Sequence, residues 1–220
     1  MKPTSSSPRP ASPFRRRRIL WTITLLTAGV FFYLFNYSET FSWSLPSSLK
    51  DASGQRRIRV QEIHGLLHFV TSYPDKRLDE DDGSIQVAGL GTVKVDPSET
   101  VDLRVFTPDG DDNWENHLKT LRTKYPLVVF SKTYCPYSRR AKALLESYQI
   151  KPAPFVVEID TRSDGPIIQK LLGRLTGRST VPNVLVKAQS IGGSDDVHSL
   201  HDKNTLKDLL LESGLEVHGI

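Results

Sequence analysis

Four consecutive apolar residues, Leu127-Val128-Val129-Phe130, lead within a few residues into Cys135-Pro136, and this junction constrains the fold more than any other feature of the chain. A short apolar run of that kind fits a strand buried on both sides in a central sheet. Proline is well tolerated at the first position of a helix, where its missing N–H has no helical partner to lose. From Pro136 the pattern reads as a helix to about Gln149. Tyr137, Ala141, Leu144, Leu145 and Tyr148 form its buried stripe, and Arg139, Arg140 and Lys142 its wet side.

The flanking sequence extends this into a domain. Trp114 to Thr123 reads as a helix with Trp114, Leu118 and Leu121 on one face, and Phe155 to Ile159 as a second strand. A helix from about Pro166 to Leu175 follows, then a strand Asn183 to Lys187, a return strand Gln189 to Ile191 and one helical stretch Val197 to Leu211. A β-α-β opening followed by an antiparallel hairpin predicts the α/β class, with a central mixed four-stranded sheet flanked by helices.

Cys135 is the only cysteine of the 220 residues, so the chain forms no internal disulfide and the thiol is either incidental or chemical. Taken alone, a lone cysteine is most often a small buried hydrophobe. Its setting argues otherwise. At a helix start a thiolate meets the positive end of the helix dipole and unpaired backbone N–H groups, and Lys132 adds a positive charge three residues earlier. All of these lower the thiol pKa.

The stretch Lys132-Thr133-Tyr134-Cys135-Pro136-Tyr137-Ser138 resembles the active-site loop of glutaredoxins. Thr180-Val181-Pro182 resembles their cis-proline segment, and Ile191-Gly192-Gly193-Ser194-Asp195-Asp196 their second glutathione-binding turn. The likeness runs from about Trp114 to Ser213. It implies a thioredoxin-like fold, Cys135 as the catalytic nucleophile and glutathione as co-substrate. Implied too are the glutathione contacts: Lys132 and Gln169 at the glycyl carboxylate and Tyr137 beside the sulfur. Thr180, Val181 and Pro182 would offer a short edge strand to the tripeptide, while Gly193, Asp195 and Asp196 would take the γ-glutamyl end.

Two departures from the family pattern matter. Ser179 stands where many relatives carry a basic residue before Thr-Val-Pro, with Arg178 one residue earlier, and Ser138 stands where dithiol members have a resolving cysteine. The second makes the implied mechanism monothiol, acting on glutathionylated proteins or small mixed disulfides. Two alternatives stay open. One is a homodimer holding a [2Fe–2S] cluster through Cys135 and glutathione, against which Pro136 argues by stiffening the loop. The other is a redox sensor without turnover. No other metal site is expected.

The N-terminus carries a different signal. Lys2, Arg9 and Arg15 to Arg18 form a basic tail without an acidic residue, and Ile19 to Phe35 follows as an uncharged run. We read residues 19–35 as a transmembrane signal anchor, just long enough to cross a hydrocarbon core, with a cleaved signal peptide or a buried helix as the alternatives. The positive-inside bias keeps the tail cytosolic and sends the C-terminal part to the lumen. With the resemblance to membrane-anchored fungal glutaredoxins, this implies a type II protein of the endoplasmic reticulum or Golgi. Asn36-Tyr37-Ser38 is a glycosylation pattern close to the bilayer.

The formal charge of +4 resides in that tail: six of the 29 basic residues precede residue 19, leaving 23 against 25 acidic ones. A nucleic-acid partner is therefore not expected. Residues 36–112 read as a partly ordered lumenal stem, with a short helix within Gln55 to Thr71 and a weak hairpin between Ile85 and Val95. Its His64 and His68 read as packing or solvated residues, and Asp79 to Asp82 as a solvated loop. The redox domain then begins at residue 113.

Overall fold

A computed structural model describes residues 60–80 and 82–220. The basic tail, the apolar run 19–35 and Asn36 lie outside the described residues. Among the described residues no helix is long and apolar enough to cross a membrane.

The first described elements are helix α1 (Glu62–Ser72), a hairpin of β1 (Ile85–Val87) and β2 (Gly91–Val93), and a single 3-10 turn at Leu103–Phe106. Next come α2 (Trp114–Lys124), β3 (Leu127–Ser131), α3 (Pro136–Ser147), β4 (Ile150–Lys151) and β5 (Phe155–Glu158). The chain ends with α4 (Gly165–Thr176), β6 (Asn183–Val186), β7 (Gln189–Gly192), α5 (Ser194–Asp202), α6 (Leu206–Glu212) and β8 (Glu216–Val217).

The central sheet has the order β5-β3-β6-β7, with β3 parallel to β5 and antiparallel to β6, and β6 antiparallel to β7. This is the mixed four-stranded sheet that the sequence pattern implies. Every residue of β3 is buried, because successive side chains point to opposite faces and both faces are covered. Val128, Phe130, Val157 and Leu185 join one core cluster, and Leu127, Val129, Val184 and Val186 the other. Helices α3, α5 and α6 close the second face through Leu145, Val197, Leu206 and Leu210.

What closes the first face differs from expectation. Ile168, Leu171 and Leu172 of α4 and Leu121 of α2 cover part of it, but much of that cluster comes from the segment read as a stem. Ile63, Leu66, Leu67, Phe69, Val70, Leu78, Ile85, Val105 and Phe106 all lie in the same buried cluster as Phe130. The described residues, from 60 on, fall in one compact unit, so no packing boundary lies at 112. The sequence hid this because the segment's apolar residues are spread over four short elements joined by polar turns, a composition that resembles a linker. Gly65 shows how close the packing is, since a Cβ there would lie 3.0 Å from the Phe106 ring carbon Cγ.

Three smaller differences have local causes. The terminal helical stretch divides into α5 and α6 at Asn204, whose φ of 56° is left-handed, a conformation asparagine adopts more readily than most residues. Strands β4 and β8 pair at two positions, too few to leave a periodic pattern. Within the acidic loop, Asp79 accepts a hydrogen bond from the Ser163 hydroxyl at 2.7 Å, so that loop docks on the domain.

His68 packs, as one of the two readings had it. Its ring stacks on His117 with centroids 3.9 Å apart, and Trp114 and Tyr73 meet it edge-on. Burial, and then the neighbouring His117, push its pKa down from 6.5 to about 4, against the opposing pull of Asp109 and Asp111. Between those values the unfolded chain binds a proton that the native chain refuses, so stability falls with the pH. Thermal denaturation should therefore show a loss of stability from pH 6.5 down to about 4, attenuated in His68→Phe. A second outcome tests the shared core: Phe106→Ala should cost about 3–5 kcal/mol in a single cooperative transition. Two separated transitions in chemical denaturation would show instead that residues 60–112 unfold on their own.

Candidate active site

The strand-to-helix junction places Cys135 at the N-cap of α3, in extended conformation (φ −73°, ψ 120°), with Pro136 as the first helical residue. Its carbonyl accepts the first helical hydrogen bond, from Arg139 at 3.1 Å. The thiol is partly exposed. Burial works to raise its pKa, but four influences together outweigh it: the N–H and the hydroxyl of Ser138, the N–H of Tyr137 and the charge of Lys132. The net direction is down, which favours the thiolate.

Ser138 has more to do than fill the place of a second cysteine. It is fully buried, and its Oγ accepts the Lys132 N–H at 3.3 Å. Its own hydrogen stays available to Cys135 Sγ, which is how the hydroxyl helps to lower the thiol pKa. The rest of the loop is tied by Asp160 to the 3-10 turn Ile159–Thr161 that follows β5. Its carboxylate accepts from the Thr133 N–H at 3.0 Å and from the Thr133 hydroxyl, and that second bond leads the causes holding Asp160 below the usual carboxylate range.

Facing the thiol is the segment before β6. The Val181–Pro182 peptide is cis, and Cys135 Sγ lies 3.8 Å from the Val181 carbonyl oxygen. The central-sheet pairing of β6 begins only at Asn183, so Val181 sits beyond the end of its strand. A groove of about 450 Å³ opens beside it, lined by Tyr137, Arg178, Thr180, Val181, Pro182 and the 193–196 turn. Tyr137 and Tyr134 are large exposed aromatics on either side of the cysteine, at 56% and 67% exposure.

At the far end of the groove α5 begins. The Gly193 N–H donates to Asp196 Oδ2 at 2.8 Å, folding that carboxylate back over the turn. Arg178 pairs with Asp196, and its Nη1 reaches the Thr180 hydroxyl at 3.3 Å. Arg178 therefore bridges the two chain segments that form the groove. Asp195 is exposed and pairs with Arg140 of α3 at 3.1 Å. Gly192 has a φ of 112°, and any side chain there would collide with Asp196.

The structure brings together Cys135, Tyr137, Thr180, Val181, Pro182, Gly193, Asp195 and Asp196. Two of the residues expected to contact glutathione lie off the groove lining. Lys132 remains on the cysteine loop, close enough to act on the thiol through its charge. Gln169 donates its amide to the Ser179 carbonyl at 2.7 Å, so that donor holds backbone instead of facing a ligand. Three residues escaped the sequence reading. Arg140 looked like an ordinary exposed helix residue, Asp160 carried no local motif, and Arg178, noted only as the basic residue one before Ser179, stands at the Gly193–Asp196 turn. Only the fold juxtaposes them with their partners.

Among the described residues no group of three or more His, Cys, Asp or Glu side chains could hold a metal ion. A [2Fe–2S] cluster held by cysteine takes four thiolate ligands and this chain carries one, so one copy does not hold a cluster by itself.

A family model described as Glutaredoxin matches residues 127–191. Glutaredoxin-C8 of Oryza sativa subsp. japonica is 42% identical over 101 residues, which covers 46% of this chain and 74% of the relative. Monothiol glutaredoxin-7 of Saccharomyces cerevisiae is 30% identical over 201 residues, covering 88% of this chain and 86% of that protein. Among solved structures, a buckwheat glutaredoxin–glutathione complex is 40% identical, with a TM-score of 0.40, and the match covers 46% of this chain and 88% of that one.

Removing the Ser138 hydroxyl should raise the thiol pKa. Loss of one hydrogen bond to a charged acceptor predicts that Ser138→Ala slows alkylation by iodoacetamide at pH 7 by about three- to tenfold. A pH–rate profile checks this, its midpoint moving upward in the variant.

Proposed function

The chain belongs to the glutaredoxin family, and on that premise we propose that it is a monothiol oxidoreductase that exchanges glutathione with protein and small-molecule thiols through Cys135 alone. The observation that carries the reading is one activated thiol 3.8 Å from the carbonyl that precedes a cis-proline, with Val181 and Pro182 themselves lining an open groove of about 450 Å³.

In the first half-reaction the Cys135 thiolate attacks the glutathione sulfur of a mixed disulfide. The Cys135–glutathione S–S bond forms, the bond to the substrate sulfur breaks, and the substrate leaves as a thiolate that takes a proton from water. In the second, the thiolate of another glutathione attacks the glutathione sulfur held on Cys135. Oxidised glutathione leaves and the Cys135 thiolate returns. Overall, the mixed disulfide is reduced by two electrons and two glutathione molecules end as one disulfide, one of them from the substrate itself.

The groove supports recognition of the glutathionyl half. Val181 offers backbone to the cysteinyl unit, as an edge strand does. The start of α5 offers N–H groups to the γ-glutamyl carboxylate, and the Asp196 carboxylate a partner for its ammonium. Lys132, whose charge acts on the thiol, is the cation offered to the glycyl carboxylate. Because the proposed contacts lie on glutathione, the protein half of the substrate is left unspecified.

The monothiol relative from yeast, the lone cysteine and Ser138 support this mechanism over a dithiol one. Six basic residues followed by an uncharged run support membrane anchorage, with the domain in the lumen of the early secretory pathway. In an oxidising lumen the exchange could also run backward and glutathionylate proteins.

Turnover by the full chain, measured as glutathione-dependent reduction of a mixed disulfide between glutathione and a cysteine peptide, tests the proposal. Cys135→Ser should reduce the rate to the uncatalysed background, and equal rates in the two proteins would remove the enzyme reading.

A further inference from the structure

Helix α4 stands between the groove and the N-terminal segment, and both of its ends are held from the N-terminal side. At its C-terminal turn Arg174 forms a two-pronged ion pair with Glu62 of α1, Nη1 donating to Oε2 at 2.9 Å, while its Nε donates to the Pro97 carbonyl at 2.9 Å. Glu62 also accepts the Val101 N–H at 3.2 Å. Ahead of the helix, the fully buried Asp164 accepts the Leu78 N–H at 2.9 Å and pairs with Arg162, whose guanidinium reaches the Pro74 and Lys76 carbonyls at 3.2 and 2.8 Å. The contacts that Asp164, Arg162 and Arg174 make with the N-terminal segment span from 77 to 112 residues of sequence.

The same helix holds the groove strand. Gly173, beside Arg174, lies so close to Ser179 that a Cβ on it would sit 3.1 Å from the Ser179 Cβ. Gln169 grips the Ser179 carbonyl at 2.7 Å. The Thr176 hydroxyl accepts from the Asn183 amide at 3.0 Å and from the Arg178 N–H at 3.3 Å. Ser179 and Asn183 enclose Thr180-Val181-Pro182, so the position of that segment follows the last turns of α4. Of the chain's own groups, Arg174 is the one through which Glu62 and Pro97 grip those turns.

We propose that residues 62–106 brace the glutathione groove, and that Arg174 is a positioning residue that sets affinity for glutathione by holding the last turns of α4 against Ser179. Arg174 is absent from the groove lining and acts only through the backbone it steadies. The brace rests on the reading of the groove as a glutathione site. It works on binding and leaves the thiol alone, because Cys135 is activated from α3 and its own loop. A planar guanidinium suits the task, as its fork can satisfy a carboxylate and a carbonyl together, whereas an ammonium offers a single point charge.

The test uses the full chain as wild type, Arg174→Met and Arg174→Lys, with three readouts: KM for the glutathione mixed disulfide in turnover, calorimetric affinity for S-methylglutathione, which cannot react, and the Cys135 pKa from thiolate absorbance. In Arg174→Met both KM and the dissociation constant should rise about fivefold, with kcat and thiol pKa unchanged, and Arg174→Lys should recover part of the loss. A fall in melting temperature with KM and affinity within twofold of wild type would reduce Arg174 to a structural role and overturn the brace. If the wild type fails to turn over, the enzymatic reading fails by itself. The brace then stands or falls on whether Arg174→Met weakens S-methylglutathione binding.

Discussion

The whole arrangement depends on strand β3 being covered on both faces. Its apolar residues alternate between two core clusters, and the strand ends where α3 begins, so the layers that bury Val128 and Phe130 on one side and Leu127 and Val129 on the other also fix where Cys135 emerges. An exposed face would leave the strand's end, and the cysteine after it, free to shift. The reactivity of the thiol is in this sense a packing result. Its helix dipole, its two backbone N–H donors and the Ser138 hydroxyl are useful only if the sulfur is held among them.

A second dependency runs through charge. The groove is assembled from segments that do not contact one another through apolar side chains alone, and Arg178 with Asp196, and Arg140 with Asp195, join them. These pairs are partly exposed, so each contributes little to stability. Their value lies in placement. Asp196 is held over the Gly193 N–H while remaining open to an incoming ammonium, and exchanging one cation for another costs less than stripping a carboxylate of every partner.

The N-terminal segment alters the usual division between tether and domain. A stem would be expected to have few contacts and no share in a core. Instead, Phe106, Leu66 and Phe69 are fully buried in the cluster that contains Phe130, and the segment grips both ends of α4. The folded part therefore reaches back at least to α1, which starts at Glu62.

Spacing and composition alone determined the sheet class, the position of Cys135 at a helix start and the restriction to one thiol. Those features are local: apolar alternation in Leu127 to Phe130, proline after the cysteine, and a single cysteine in the chain. Motif likeness also located Val181-Pro182 and the 193–196 turn. What the tertiary structure decided is who pairs with whom. Asp160 meets Thr133 across 27 residues, Arg178 meets Asp196 across 18, Arg140 meets Asp195 across 55 and Arg174 meets Glu62 across 112. Charged residues of this kind look alike on a sequence, because each is compatible with solvent, and only the packing of helices on a common sheet selects a partner. The same holds for the segment 60–112, whose scattered apolar residues become a core face only when a second surface is present to bury them.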